Sequence, residues 1–394
     1  MLVSVALILV FGLLFSNLFT KLKLPGFIGM IIVGIILGGS FLNVIDDKIL
    51  AISSEIRQIA LIIILTRAGL TLKLDDLKKI GRPAFFMSFL PATFEIIGCT
   101  ILGPILLGVT PLEGMLIGCV LGAVSPAVVV PRMIKFTEEG YGQKKKVPQL
   151  VLTGASFDDV FVIALFTVVS TFVQSGTVNL TSVIQVPIAI GSGILLGIAW
   201  GYVFQLFFKK LHMRDSVKLL LILAFSFFAV GFEKEISTVL PFSALIAVMS
   251  MAISINIFYP KLANRLSSKY NKLWVAGEVF LFVLVGISVE VSFAIKAGIG
   301  TVILVIGALI FRMVGVFVSL IKTGFTINEK LFCMISYLPK ATVQAAIGGI
   351  PLAMGLACGE IVLTIAVIAI LISAPLGAIL IDNIGKRLLV QDTI

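Results

Sequence analysis

The sequence predicts an all-α polytopic membrane protein, and three observations support that fold class. Of its 394 residues, 59% are hydrophobic and only 13% are charged, whereas charged residues make up about a quarter of a soluble domain. The mean hydropathy is +1.18. Apolar stretches close to the roughly 20 residues that a membrane-spanning helix needs follow one another with short connections. The composition therefore excludes a water-soluble enzyme and leaves no room for an extramembrane domain.

Thirteen apolar segments are predicted to span the membrane. They lie near residues 2–19, 25–42, 56–71, 84–108, 111–134, 150–174, 183–208, 217–232, 239–259, 274–295, 299–321, 330–354 and 361–381. The first segment is apolar from its start, and its flanking lysines follow it instead of preceding it. We therefore expect it to be a span and not a cleaved signal peptide.

The distribution of basic residues predicts the orientation. All but seven of the 30 Lys and Arg residues fall in alternate loops and the C-terminal tail, which by the positive-inside rule face the cytoplasm. We therefore expect a multi-pass protein of the cell membrane, with its N-terminus outside and its C-terminus cytoplasmic. The net charge of +10 then reflects orientation and does not indicate a nucleic-acid partner. Of the other seven cations, four lie in the outer loops, namely Lys48, Arg57, Lys234 and Lys296. The remaining three lie in spans, namely Arg67, Arg312 and Lys340.

The four cysteines lie inside apolar segments and show no CxxC spacing. Neither a zinc site nor a disulfide framework is indicated, and we expect no cofactor. The cysteines are Cys99, Cys119, Cys333 and Cys358.

Prolines interrupt two of the apolar segments. The fifth contains GCVLGAVSPAVVVPRMI, with Pro126 and Pro131, and the twelfth contains ISYLPKATVQAAIGGIP, with Pro339 and Pro351. Proline removes a backbone donor and kinks or ends a helix. The two segments lie seven spans apart, so a chain of two repeats would place them in opposite orientations. Paired interrupted helices in inverted halves indicate a secondary transporter with its binding site at the midplane.

Six ionisable residues lie within spans, where a charged side chain is energetically costly and therefore marks a candidate functional site. They are Arg67, Glu95, Asp158, Asp159, Arg312 and Lys340. The adjacent Asp158 and Asp159 are about 100° apart around a helix, so each needs its own partner. Two neighbouring carboxylates in a poorly solvated place bind protons more readily, and an arriving cation opposes this effect. Proton and cation are therefore predicted to compete for one site, formed by Asp158 and Asp159.

The remaining charges suggest partners for this pair. Lys340 is predicted to be the charge partner of one aspartate, and it is able to release its own proton when a cation arrives. A shift of 217 positions places Glu95 on Arg312 and Ser125 on Thr342. Opposite charges at such positions predict a contact on the repeat axis, as a structural ion pair, a functional one or both. Arg67 is expected to anchor its span at the cytoplasmic interface.

Four stretches resemble a known family: TRAGLTLKLDDL, GAVSPAVVVPRMI, GASFDDVFVIALF and LPKATVQAAIGGIPL. They are similar to the signature stretches of the monovalent cation/proton antiporters with paired aspartates, the second cation/proton antiporter family, in its sodium/hydrogen exchanger-like branch. They occur in the family's order and together span nearly the whole chain.

The resemblance implies thirteen spans in two inverted six-helix repeats with crossed broken helices, joined by a linker helix at 183–208, and a homodimer. Core transport helices would lie in 81–175 and 297–385, and the dimerisation scaffold in 1–80 and 217–296. It further implies roles for single residues. Asp159 would be the main cation ligand and proton carrier, Asp158 the partner of Lys340, and Ser125 a further oxygen ligand. Glu95 and Arg312 match the branch's charged pair between core helices.

The sequence thus predicts an antiporter that exchanges Na⁺ or Li⁺ for H⁺ by alternating access. A K⁺/H⁺ antiporter on the same scaffold remains the alternative, because nothing in the sequence sets the size of the site. Many relatives have an aspartate where this chain has Ser125 and Pro126, so the stoichiometry stays open. An intramembrane aspartyl protease needs its two aspartates on different helices, and here they are adjacent. A passive channel would lack coupling to protons.

Overall fold

The computed structural model describes residues 1–72, 80–175, 180–211, 213–233, 235 and 241–392. Within these residues the regular structure is helical, apart from an isolated antiparallel bridge between Tyr141 and Gln391. The helices are α1 (Leu2–Lys21), α2 (Gly26–Leu37), α3 (Asp47–Ala51), α4 (Ser53–Thr71), α5 (Arg82–Met87), α6 (Leu90–Leu107), α7 (Pro111–Leu121), α8 (Pro126–Glu138), α9 (Val147–Ser175), α10 (Leu180–Lys210), α11 (Asp215–Gly231), α12 (Ala244–Phe258), α13 (Pro260–Ile287), α14 (Val291–Ser319), α15 (Ile327–Ser336), α16 (Thr342–Ile347), α17 (Ile350–Ala353) and α18 (Gly359–Leu388). Lys73, Lys234 and the end of the stretch TRAGLTLKLDDL lie outside the described residues.

Eight helical stretches in the described part of the chain are long and apolar enough to cross a membrane. They overlap the first, fourth to seventh, tenth, eleventh and thirteenth predicted segments, although the helix at the tenth, Pro260–Ile287, begins and ends earlier than the predicted 274–295. Three further apolar stretches are shorter, at Gly26–Leu37, Ala244–Phe258 and Thr342–Ala353. The predicted class, an all-helical polytopic membrane protein, is confirmed. The count of thirteen spans and the inverted repeats stay predictions.

The helices that precede the two breaks, α7 and α15, both start with a capping box. At the start of α7, the Thr110 hydroxyl accepts a hydrogen bond from the Glu113 N–H at 3.2 Å, and the Glu113 carboxylate accepts one from the Thr110 N–H at 2.8 Å. Thr326 and Glu329 repeat the arrangement at the start of α15. Because the first N–H groups of a helix have no partner within the helix, these caps fix where each helix begins.

Both predicted interruptions are present, but not every proline causes one. Residues 122–125 separate α7 from α8, and residues 337–341 separate α15 from α16. Pro126 occupies the first turn of α8, where its missing N–H is not needed. Pro131 was expected to interrupt the segment as well, and that expectation is wrong. It lies inside α8, which continues to Glu138, because a proline removes only one hydrogen bond of the helix.

Two glycines that the 217-residue shift pairs have the same unusual backbone conformation. Gly81 precedes α5 with φ 74° and ψ −141°, and Gly298 lies in α14 with φ 65° and ψ −163°. This region of φ/ψ space is essentially restricted to glycine. Each glycine thus sits at a point where the backbone of its segment departs from helical geometry.

The chain divides into two compact units. The first consists of Met1–Ser54, Lys73–Val173 and Leu281–Ile394, and the second of Glu55–Leu72 and Gln174–Phe280. In the second unit, α10 and α12 approach closely at Gly193 and Gly197. A Cβ atom at Gly193 would lie 2.8 Å from the Ser243 carbonyl oxygen. Small residues at such positions let two helix backbones pack directly against each other.

Candidate ion-binding site

A cluster of five buried ionisable side chains lies in the first unit, at the two helix breaks. Glu95 comes from α6, Asp158 and Asp159 from α9, Arg312 from α14, and Lys340 from the second break. Four of the five are fully buried, and Asp159 is 6% exposed. Buried charges are stable only when paired and hydrogen-bonded, so their partners decide what the cluster can do.

Arg312 joins the carboxylates of two helices. Its Nη1 lies 2.8 Å from the Glu95 Oε2, which is the contact expected at these positions, and its Nη2 lies 2.5 Å from the Asp158 Oδ2. The guanidinium also donates to the carbonyl of Gly122 in the first break and, at 2.8 Å, to the carbonyl of Tyr337 in the second. The planar fork of an arginine suits this set of acceptors, since it offers five donors at fixed angles. Arg312 therefore ties both breaks to the carboxylates.

Lys340 pairs with Glu95 and not with Asp158. Its Nζ lies 2.6 Å from the Glu95 Oε2, the same oxygen that Arg312 contacts. The Asp158 Oδ2 is taken up by Arg312 and by the Val124 N–H at 3.1 Å. The expected pair of Asp158 with Lys340 is therefore wrong in this structure, because Arg312 pairs with Asp158 and Glu95 receives the lysine.

Asp159 has no ion-pair partner within the part of the chain that the structure describes. Its Oδ1 is buried and accepts no hydrogen bond among the described residues. Its neighbour Asp158 points elsewhere, as expected for adjacent positions of a helix. Among the buried groups of the cluster, Asp159 is thus the carboxylate whose charge no side chain compensates.

Two hydroxyl groups next to the breaks are also buried without a hydrogen-bond partner among the described residues. They belong to Ser125, which precedes α8, and Thr342, which begins α16. The Ser125 N–H donates to the Pro339 carbonyl at 2.8 Å, so the two breaks are joined through their backbones. Buried oxygens without partners are available to a proton or a cation. Among the described residues, no group of three or more His, Cys, Asp or Glu could hold a metal ion, so a cation here would also need hydroxyl or carbonyl oxygens.

Sequence reasoning did not single out Gln344 or Ser373. The fully buried Gln344 amide reaches both breaks, and the Ser373 hydroxyl accepts the Lys340 N–H at 3.0 Å. A signal was present, since a helix that is broken in an apolar environment leaves backbone groups that polar side chains must satisfy. A buried glutamine four residues after Lys340 is such a group.

A second pair of charged residues lies in the second unit. Arg67 of α4 and Glu278 of α13 are partly buried and attract each other electrostatically. Glu278 lies near the start of the tenth apolar segment of the sequence. The apolar segment starts near residue 274, but α13 already begins at Pro260, because the polar stretch before Trp274 is helical too. Glu278 therefore lies well inside its helix.

Known proteins resemble this chain over nearly its whole length. The family described as "Sodium/hydrogen exchanger, transmembrane" matches residues 5–385. Sodium/hydrogen exchanger 9B2 of Homo sapiens is 33% identical over 383 residues, which cover 93% of this chain and 70% of that protein. Sodium/hydrogen exchanger 9B1 of Homo sapiens is 30% identical over 383 residues, with 93% and 73% covered.

A solved structure resembles the chain as well. The structure of the sodium proton antiporter MjNhaP1 from Methanocaldococcus jannaschii at pH 8 superposes with a TM-score of 0.82 and covers 98% of this chain and 96% of that chain. Because the two sequences are 21% identical, this likeness concerns the fold alone.

Proposed function

Since this chain belongs to the sodium/hydrogen exchanger family, we propose that it is a secondary-active antiporter that exchanges Na⁺ or Li⁺ for H⁺ at Asp159. The family assignment made from the four sequence stretches is thereby confirmed. The observation that carries the proposal is the position of Asp159, which is buried beside an ion-paired cluster and has no partner of its own among the described residues. A buried, uncompensated carboxylate has a strong demand for a positive charge, and either a proton or a monovalent cation meets it.

The charges of the cluster limit how many protons are exchanged for each cation. Arg312 and Lys340 face Glu95 and Asp158 in ion pairs, so these four charges balance. Asp159 leaves one negative charge over. Binding one proton or one monovalent cation neutralises the cluster, and binding both would leave it positive. The charge balance therefore favours competition for one site and the exchange of one H⁺ per cation, with Lys340 keeping its proton beside Glu95 throughout the cycle.

Competition alone does not move ions, so the site must also alternate between the two sides of the membrane. We infer an elevator-type movement, in which the core helices of 81–175 and 297–385 slide against the scaffold of 1–80 and 217–296 in a homodimer. The core would move only when Asp159 carries a proton or a cation, because an uncompensated charge crossing the apolar barrier is strongly disfavoured. The matched backbone of Gly81 and Gly298 and the contact of Glu95 with Arg312 support two inverted repeats within this core.

Ser125 is proposed as a further ligand of the cation. Its buried hydroxyl oxygen has no partner among the described residues and belongs to the break that Asp158 holds through Val124. Asp158 then has a supporting role, since its Oδ2 is already used by Arg312. A K⁺/H⁺ antiporter remains the alternative function, because the same residues would serve a larger cation.

The proposal is tested with purified protein in liposomes that contain a pH-sensitive dye. An imposed Na⁺ gradient should drive protons in the opposite direction, and the apparent KM for Na⁺ should rise as the pH falls, because protons then occupy Asp159 more often. Li⁺ should replace Na⁺, whereas K⁺ at the same concentration should drive little exchange. Exchange driven equally well by K⁺ would favour the alternative, and ion flux without proton movement would contradict antiport altogether.

A further inference from the structure

Gln344 connects the two helix breaks with one uncharged side chain. Its Nε2 donates to the carbonyl of Leu121 at the end of α7, at 3.1 Å, and to the carbonyl of Ala123 in the first break, at 2.8 Å. Its Oε1 accepts the N–H of Ala341 in the second break at 2.8 Å. The side chain is fully buried. We propose that Gln344 is a positioning residue of the ion-binding site, which holds the two breaks in one fixed arrangement and thereby sets the affinity for the cation. The proposal rests on the proposed function of Asp159.

The first break depends on side chains for its backbone hydrogen bonds. The carbonyls of Leu121 and Ala123 are bound by Gln344, and the carbonyl of Gly122 between them is bound by Arg312. The next N–H group, that of Val124, donates to Asp158. Because Gln344 holds the carbonyls on both sides of Gly122, it fixes the stretch from which Val124 reaches Asp158 and Ser125 offers its hydroxyl.

A glutamine suits this position for a chemical reason. Its amide supplies two N–H donors and a carbonyl acceptor at once, whereas lysine or arginine only donates and an ionised glutamate only accepts. A neutral group also leaves the charge of the cluster unchanged. An added charge would alter the balance in which Asp159 is left as the single uncompensated group.

Loss of Gln344 should therefore act on the cation more than on the proton. Without the amide, the carbonyls of Leu121 and Ala123 have no donor, and the break is free to shift. A proton bound to Asp159 needs that one carboxylate, but a cation needs several oxygens at fixed distances. The cation affinity should fall while Asp159 stays able to bind a proton.

The test compares Gln344→Met and Gln344→Asn with the wild type and with Gln149→Met. Gln344→Asn keeps a neutral amide but shortens the side chain by one CH₂, so that the amide no longer reaches both breaks. Gln149 offers a matched control, because it is a partly buried glutamine of the same unit that bonds to Gln143 at 2.9 Å, away from the breaks. In liposomes, Gln344→Met should raise the apparent KM for Na⁺ about tenfold, the size expected for one or two lost hydrogen bonds, and should change the maximal rate per folded protein less than about twofold. Gln149→Met should leave the KM at the wild-type value.

A second readout separates positioning from simple stability. In detergent, Na⁺ should raise the unfolding temperature of the wild type, because a ligand of the folded state stabilises it. The Na⁺ concentration that gives half of this rise should increase about tenfold in Gln344→Met and Gln344→Asn. If Gln344→Met does not fold, Gln344→Asn alone decides.

Two results would overturn the proposal: a wild-type KM in the folded variants, or a lower unfolding temperature whose dependence on Na⁺ equals that of the wild type. A wild type that binds Na⁺ without moving protons would contradict the proposed function, and the Na⁺ dependence of the unfolding temperature would still report on Gln344.

Discussion

Asp159→Asn should abolish exchange, with Na⁺-driven proton movement at least about a hundredfold slower than in the wild type. The amide has nearly the shape of the carboxylate, but it neither binds a proton nor carries the charge that attracts a cation. The cluster would be permanently neutral, so the substitution should leave the protein folded and even make it more stable. The measurement is the pH-dye assay in liposomes, with the unfolding temperature recorded on the same preparation.

The control for this variant is Asp47→Asn, which makes the same chemical change at an exposed position of α3. It should exchange ions at the wild-type rate. Exchange by Asp159→Asn within a few-fold of this control would mean that another group carries the proton, and Asp158 would then be the first to substitute.

Arg312→Met should destabilise the fold more than any other single change at the cluster. Without Arg312, the three carboxylates Glu95, Asp158 and Asp159 face the single positive charge of Lys340. The carbonyls of Gly122 and Tyr337 also lose the donor that Arg312 provides. Breaking a buried ion pair from one side costs about 3–5 kcal/mol, because the other charge stays buried. We expect a large drop in unfolding temperature and in the yield of folded protein.

Arg265→Met is the matched control, since Arg265 forms its ion pair with Asp215 at 2.9 Å while its side chain is half exposed. Exposed pairs contribute little to stability, so this variant should unfold close to the wild-type temperature. Equal unfolding temperatures for the two variants would mean that Arg312 is not needed to balance the buried carboxylates. Asp158→Asn in the Arg312→Met background should recover part of the lost stability, because Arg312 is the ion-pair partner of Asp158 among the described residues, whereas Glu95 keeps its pair with Lys340.

The sequence was sufficient to predict the fold class, the two broken segments and the residues of the buried cluster. Charged residues stand out in apolar segments, and the breaks follow from proline and glycine. The pairing within the cluster could not be predicted, because Lys340 reaches either Glu95 or Asp158 depending on the backbone conformation of the second break and on where Arg312 lies. A one-dimensional pattern gives the positions of charges and not the directions of their side chains.

Other details depend on hydrogen bonds whose partners the sequence does not specify. In the sequence, Gln344 is one polar residue in an apolar stretch. Its role becomes clear only from the structure, where its amide forms hydrogen bonds with backbone groups of Leu121, Ala123 and Ala341 that have no partner within a helix. Pro131 was expected to break its helix, but α8 continues through it to Glu138, because a proline removes only one hydrogen bond of a helix.

The most direct test of the central claim is the coupling ratio, measured together with the charge that moves. Liposomes with the wild-type protein are given a Na⁺ gradient, Na⁺ uptake and proton release are recorded together, and the current is followed on a solid-supported membrane. With Asp159 as the single uncompensated group, the account predicts one proton per Na⁺, no current and no effect of an imposed membrane potential. Two protons per Na⁺ with a measurable current would contradict it, because Lys340 would then release its proton as well.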